Sequence, residues 1–174
     1  MRKMLMALLL LWGTAVALCA QDLDEKYAAE LLKPGTEAPD MYIGRSKEGK
    51  PMRLSELRGR HVLLCFWASW CGDCRRETPA LKEIACAYPS DKVQLVGISY
   101  DTDSCAMQDY VKKQEIGWIV YSELKKWKKD TTTDRLYHVS WIPTLYLIAP
   151  DGKVALATVM VDKVAKLLET LYKK

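Results

Sequence analysis

Two cysteines, Cys71 and Cys74, are separated by two residues and follow an apolar run over 62–67. The residues after them have helical spacing, so the pair is expected where a strand ends and a helix begins. A helix N-terminus presents unpaired N–H groups and the positive end of the helix dipole, which stabilise a thiolate at Cys71. Cys74, one turn further, can then attack a mixed disulfide formed at Cys71. The spacing predicts a redox-active dithiol.

Three other interpretations of this pair are a structural disulfide, half of a zinc site and two unreactive thiols. A structural bridge gains little here, because disulfide stabilisation grows with the length of the closed loop. Zinc normally takes four Cys or His ligands in spaced pairs. The chain has one CxxC, and its two histidines, His61 and His138, are far apart in sequence. The redox interpretation is therefore favoured.

The N-terminus predicts where this chemistry takes place. Two basic residues precede an apolar run over 4–18, which ends in small residues near Ala20. We predict that residues 1–20 are an export signal cleaved after Ala20 and that residues 21–174 form one domain. An uncleaved membrane anchor is an alternative, although the apolar run is shorter than the ~20 residues that span a bilayer. A lipid-modified Cys19 is another.

The charge of the chain does not favour nucleic acid as a partner. Residues 1–20 hold two of the 26 basic residues and none of the 22 acidic ones, so the rest of the chain has a net charge of +2. A lysine cluster over 125–129 is predicted to be a solvated face, with Trp127 packed inward between its lysines.

The hydrophobic patterns predict strands that alternate with helices, then an antiparallel hairpin and a last helix. The predicted strands cover 41–45, 51–54, 61–67, 93–99, 118–121, 145–148 and 154–158. The predicted helices cover 22–32, 71–88, a segment from 103 or 104 onward and 161–172, with a helical turn at 55–58 and an irregular or helical stretch over 124–137. This order predicts a three-layer α/β domain with a mixed central sheet and helices on both faces.

Residues 66–79 resemble the signature of thioredoxin-like extracytoplasmic reductases of the TlpA/ResA type. Three further segments are similar to parts of that family: the N-terminal hairpin with its lead-in (34–40 and 54–59), the cis-proline loop (142–144) and the late hairpin (147–153). The resemblance extends from about Lys33 to Leu171. It implies a thioredoxin-like fold with an N-terminal hairpin extension.

The resemblance also implies function and partners. The expected activity is thiol-disulfide exchange on a protein disulfide substrate, in the periplasm, without a cofactor. A membrane thiol reductase is the implied electron donor, and we expect a monomer. Pro143 is implied to lie opposite Cys71 in a cis peptide, which leaves the backbone at Ile142 free to pair with an extended substrate. Trp70 and Trp141 are expected either to flank this groove or to belong to the core.

Two positions depart from the family. Asp73 stands where the family usually has Pro, and Cys65 stands where thioredoxins carry a buried Asp. Glu77 matches the family's buried acidic residue, so we expect it to exchange a proton with Cys74. The alternative is an exposed Glu77 paired with a neighbouring arginine.

The direction of electron transfer is predicted from Asp73. Its carboxylate repels a thiolate at Cys71 and competes for the helix N-terminus, with Arg75 and Arg76 as a partial offset. Destabilising the thiolate makes the dithiol more reducing, so we predict a reductant of protein disulfides.

Other functions stay open at this point. An oxidase or isomerase differs only in potential and partner. A thiol peroxidase normally needs a Pro-x-x-x-Thr-x-x-Cys segment, which is absent. A binding module would not need both cysteines. Cys65, Cys86 and Cys105 are expected to be non-catalytic, and a Cys86–Cys105 bridge is possible from sequence.

Overall fold

A computed structural model describes residues 22–46, 48–128 and 131–173. The predicted export signal over 1–20 and Lys129 of the lysine cluster lie outside the described residues. In the part of the chain that the structure describes, no helix is both long and apolar enough to cross a bilayer.

The described residues contain seven strands, which form two sheets. They are β1 (Tyr42–Arg45), β2 (Pro51–Arg53), β3 (His61–Trp67), β4 (Val93–Ser99), β5 (Ile119–Ser122), β6 (Thr144–Ile148) and β7 (Val154–Thr158). The antiparallel pair β1-β2 is the predicted N-terminal hairpin. The central sheet has the order β5-β4-β3-β6-β7, with β3, β4 and β5 parallel and β6 and β7 antiparallel to their neighbours. The predicted mixed sheet is confirmed.

Within the same residues, five helices and one short 3₁₀ helix connect the strands. They are α1 (Leu23–Tyr27), α2 (Gly72–Ala87), α3 (Ser104–Lys113), α4 (Thr132–Tyr137), α5 (Val161–Tyr172) and the 3₁₀ helix Leu54–Leu57. Successive side chains of a strand point to opposite faces of a sheet. Phe66 contacts Tyr137 of α4, whereas the next residue, Trp67, contacts Tyr110 of α3. Helices therefore cover both faces, as predicted.

An aromatic cluster fills the core behind the end of β3. The ring of Phe66 lies between 5.3 and 6.2 Å from those of Tyr100, Tyr137 and Tyr146, and all four side chains are buried. The hydroxyl of Tyr146 donates a hydrogen bond to the carbonyl of Tyr137 and accepts one from the N–H of Leu32. The cluster thus ties the strand that leads to the CxxC segment to α4 and to the N-terminal segment.

Tertiary contacts shorten the first helix. It was predicted over 22–32 and spans Leu23–Tyr27. Beyond it, Leu31 is buried in the core and the N–H of Leu32 bonds to the hydroxyl of Tyr146 instead of to a helix carbonyl. Burial of Leu31 therefore outweighs the helical spacing of this segment.

Trp127 is packed inward, as predicted. Its ring is half-buried and stacks on Tyr100 with the ring centroids 5.7 Å apart. The neighbouring lysines Lys125, Lys126 and Lys128 are exposed. The described part of the lysine cluster is therefore a solvated face anchored by one aromatic ring.

Candidate active site

The two cysteines of the CxxC segment form a disulfide at the junction of β3 and α2. Their Cα atoms are 5.3 Å apart. Cys71 is the N-cap of α2, and its Sγ accepts a hydrogen bond from the backbone N–H of Cys74 over 3.2 Å. Cys71 is 8% exposed and Cys74 is 4% exposed. The order of exposure agrees with a nucleophilic Cys71, and the N–H of Cys74 points at the atom on which a thiolate would carry its charge.

The loop before β6 faces this disulfide. The Ile142–Pro143 peptide bond is cis, which confirms the prediction. The carbonyl oxygen of Ile142 lies 3.6 Å from the Sγ of Cys71. On the inner side, Cys74 and Pro143 line a small buried cavity together with Cys65, Trp67, Thr78, Leu81, Ile116 and Trp118. Cys71 therefore faces the loop backbone, while Cys74 faces the interior.

The two tryptophans beside the disulfide differ in their surroundings. Trp70 is 54% exposed, and its ring lies 6.3 Å from that of Trp127. Trp141 is half-buried and stacks on Tyr27 with the centroids 4.0 Å apart. Trp70 thus offers an apolar surface next to Cys71. Trp141 fastens α1 to the segment that precedes the cis-proline loop.

Glu77 is a titratable carboxyl whose negative charge affects the buried thiol of Cys65 behind the disulfide. It is half-buried on α2, and loss of solvation together with the charge of Asp162 raises its pKa. Burial and the charge of Glu77 raise the pKa of Cys65 to about 12. Cys65 therefore stays a neutral thiol near pH 7.

The arginines after the CxxC segment have separate partners. Arg76 forms an ion pair with Asp73 within the first turns of α2. Arg75 turns the other way, and its Nε donates a hydrogen bond of 2.6 Å to the carbonyl of Ser69. The negative charge of Asp73 beside Cys71 is thus offset by Arg76, whereas Arg75 stabilises the loop before the disulfide.

Comparison with protein families matches residues 34–157 to the AhpC/TSA family. The chain belongs to this family. The matched range extends from the N-terminal segment before β1 to β7, so it contains both the disulfide and the cis-proline loop.

Two relatives and one solved structure describe the similarity further. "Thiol-disulfide oxidoreductase ResA" of Bacillus cereus (strain ZK) is 32% identical over 125 residues, which are 72% of this chain and 69% of that protein. The protein of the same name from Bacillus subtilis (strain 168) is 30% identical over 72% of this chain and 66% of its own length. A thiol-disulfide oxidoreductase from Bacteroides fragilis NCTC 9343 superposes with a TM-score of 0.70 at 26% identity, covering 78% of this chain and 99% of that one. With the CxxC disulfide, these relatives show that this AhpC/TSA member is a thiol-disulfide oxidoreductase.

The other cysteines that the structure describes are free thiols. Cys65 is buried in β3, while Cys86 and Cys105 are exposed. The Cys86–Cys105 bridge that the sequence allowed is not formed.

A buried carboxylate beside the CxxC loop was missed at the level of sequence. Asp101 is the second residue after the end of β4 and accepts hydrogen bonds from Ser69, two residues before Cys71. The available signal was topological: β3 and β4 were both predicted as buried strands, and the carboxyl ends of parallel neighbours meet at one edge of a sheet.

Replacement of Glu77 by glutamine should change both stability and its dependence on pH. Because the folded protein raises the pKa of Glu77 above its ordinary 4.5, folding favours the protonated carboxyl. That contribution is complete below pH 4.5 and is lost as the pH rises through the pKa in the folded state. Glutamine imitates the protonated form, so Glu77→Gln should raise Tm at pH 7 and leave it unchanged near pH 4.

Because the sequence leads us to expect that Glu77 exchanges a proton with Cys74, the same variant should also slow release of a trapped substrate about tenfold. Glu83→Gln is the matched control, because Glu83 is an exposed glutamate on the same helix. An equal change in Tm at pH 4 and pH 7 would contradict the assignment of the titration to Glu77. Thermal unfolding at pH 4 and pH 7 measures the change in Tm, and single-turnover kinetics measure the rate of substrate release.

Proposed function

We propose that the protein is an exported reductant of protein disulfides, with Cys71 as nucleophile and Cys74 as resolving thiol. The observation that carries the proposal is the position of Cys71. It lies at the N-terminus of α2, with the N–H of Cys74 on its Sγ and the cis-proline loop beside it. A thiolate there is stabilised and lies next to a loop backbone whose carbonyl at Ile142 can bond to a substrate segment.

The reaction transfers two electrons in two exchange steps. The Cys71 thiolate attacks one sulfur of the substrate disulfide, which forms a mixed disulfide and releases the first substrate thiolate. Cys74 then loses its proton to Glu77 and attacks the Sγ of Cys71, which releases the second substrate thiolate. The two substrate thiolates take up protons, one returned by Glu77 and one from solvent, so the substrate ends as a dithiol. The protein ends as the Cys71–Cys74 disulfide, the state seen in the structure.

The substrate is held as an extended segment. The carbonyl oxygen of Ile142 lies 3.6 Å from the Sγ of Cys71 and can accept a hydrogen bond from the substrate backbone, and the exposed ring of Trp70 gives apolar contact. Main-chain pairing of this kind accepts many sequences. It suits an enzyme that acts on a protein chain and contacts its backbone first.

Export and recycling follow from the N-terminal pattern and the family resemblance. The basic residues and apolar run over 1–20 support secretion to the periplasm, with a retained membrane anchor as the alternative. An oxidised reductant needs electrons again after each turnover. A membrane thiol reductase that exposes its dithiol outside the cytoplasm is the donor we propose.

Equilibration with glutathione buffers tests the direction of transfer. We expect a potential closer to about −270 mV, as in thioredoxin, than to the roughly −120 mV of a strong oxidase. Asp73→Asn should raise it by about 5 to 20 mV, because removal of a repelling charge at the helix N-terminus stabilises the Cys71 thiolate. Arg76→Gln, which exposes the charge of Asp73, should lower it. A potential above about −180 mV would contradict a reductase.

A further inference from the structure

Asp101 is a buried carboxylate, and both of its oxygens accept hydrogen bonds from the CxxC loop or from the end of β4. Only 2% of the surface of this residue is exposed. One oxygen accepts the backbone N–H of Ser69 at 2.9 Å and the hydroxyl of Ser99 at 2.6 Å. The other accepts the hydroxyl of Ser69 at 2.6 Å. Three hydrogen bonds as short as these offset the free energy that a carboxylate loses when it is removed from water.

Ser69 is held on its other side as well. Its carbonyl accepts the hydrogen bond from Arg75, which belongs to the second turn of α2. The N–H of Cys71 bonds to the carbonyl of Ala68 at 3.1 Å. The peptide groups around Ser69 therefore connect β4, through Asp101, to the helix that begins at Cys71.

The parallel pairing of β3 and β4 explains why Asp101 reaches this loop. Trp67 is in register with Ser99 at the ends of the two strands. Two residues further on, Ser69 and Asp101 face each other where the ladder has ended. A carboxylate spans this gap and replaces the missing ladder bond, because it accepts from both the N–H and the hydroxyl of Ser69.

We propose that Asp101 is a positioning residue for the dithiol. Its carboxylate fixes Ser69, and with it the exposed ring of Trp70 and the place of Cys71 at the N-terminus of α2. It does not contact the sulfur atoms. The effect on turnover rests on the proposed disulfide reduction, whereas the effect on the reactivity of Cys71 does not depend on the substrate.

Two substitutions separate the geometry from the charge. Asp101→Asn removes the charge, but its amide oxygen can accept from the N–H of Ser69 and the hydroxyl of Ser99, and its NH₂ group can donate to the hydroxyl of Ser69. Asp101→Ala removes all three contacts. Ser122→Ala is the control, because the Ser122 hydroxyl bonds to the backbone carbonyl of Asp101 and leaves the carboxylate untouched.

The experiment uses the reduced protein and two probes. Iodoacetamide alkylation of Cys71 is followed against pH, and reduction of oxidised glutathione is followed by stopped flow. Asp101→Ala should lower the rate of both reactions about 10- to 100-fold relative to Asp101→Asn and should move the alkylation midpoint to higher pH, because the thiolate is no longer held against the helix N-terminus. Asp101→Asn should stay within about threefold of the unsubstituted protein. Ser122→Ala should lower Tm without changing either rate.

Rates and midpoints for Asp101→Ala that match those of Ser122→Ala would overturn the proposal, since they would show a purely structural residue. Should Asp101→Ala not fold, Ser69→Ala decides. It removes one hydroxyl contact, and an unchanged alkylation profile would overturn the proposal, whereas a higher midpoint would support it. Unsubstituted protein that alkylates normally but reduces neither glutathione disulfide nor insulin would overturn the proposed function alone.

Discussion

Replacement of Cys71 by alanine is expected to lower disulfide reduction at least about 1,000-fold, because it removes the attacking thiolate of a two-step exchange. Two features of the structure support this proposed role. Cys71 is the N-cap whose Sγ accepts the N–H of Cys74, and it faces the Ile142 carbonyl at the substrate side of the loop. Insulin reduction, measured with dithiothreitol as the electron donor and corrected for the uncatalysed rate, gives the size of the loss.

Cys74→Ala should behave differently from Cys71→Ala although both are inactive in turnover. It keeps the nucleophile and lacks the thiol that resolves the mixed disulfide, so the substrate remains covalently attached through Cys71. Non-reducing electrophoresis and mass spectrometry of the adduct identify both the attachment site and the captured protein. Capture by Cys71→Ala through Cys74 would reverse the roles.

The free cysteines provide matched controls for this experiment. Cys86→Ala and Cys105→Ala change exposed thiols that lie outside the CxxC segment, and both should retain full activity. Two negative results together would mean that the chain is a binding module: no reduction of insulin by the unsubstituted protein, and no adduct formed by the Cys74→Ala variant. Consumption of peroxide at a rate that depends on Cys71 would instead favour the peroxidase alternative.

Much of the scaffold was predictable because its strands are buried on both faces. The predicted bounds 61–67 and 93–99 are those of β3 and β4, and the helix predicted over 161–172 is α5. Strands in the middle of a parallel sheet give nearly continuous apolar runs, which begin and end sharply in the sequence. The cis Ile142–Pro143 bond was predicted from different information, namely the resemblance of residues 142–144 to the cis-proline loop of the family.

The supporting contacts of the site were not predictable in the same way. The stacking of Tyr27 on Trp141 joins residues more than 100 positions apart, and the contact of Asp101 with Ser69 crosses from one strand end to the next. Hydrophobic periodicity indicates which face of a helix or strand is buried, but it does not indicate which polar side chains form hydrogen bonds with each other. The CxxC spacing thus indicated the chemistry, while the groups that position it emerged only with the sheet order.

The second large effect is expected on stability. Phe66 is fully buried at the centre of the aromatic cluster, on the strand that leads to the disulfide. Phe66→Ala should lower the free energy of unfolding by about 3 to 5 kcal/mol, because it removes apolar contact and leaves a cavity among the tyrosine rings. The hydroxyls of Tyr137 and Tyr146 donate hydrogen bonds to backbone carbonyls, which limits the collapse of these two rings into the cavity. A loss of this size is a large share of the roughly 5 to 15 kcal/mol of a typical domain.

Two further substitutions test whether this loss of stability comes from the side-chain volume removed at position 66. Phe66→Leu keeps most of that volume and should cost less than about 1.5 kcal/mol. Leu171→Ala, at an exposed position of α5, should stay within about 0.5 kcal/mol of the unsubstituted protein. Urea unfolding of the reduced proteins, with the slope m compared between them, gives each value. A loss for Phe66→Ala no larger than that for Phe66→Leu would mean that the surrounding tyrosines repack, and the cluster would then not be the rigid support from which β3 presents Cys71.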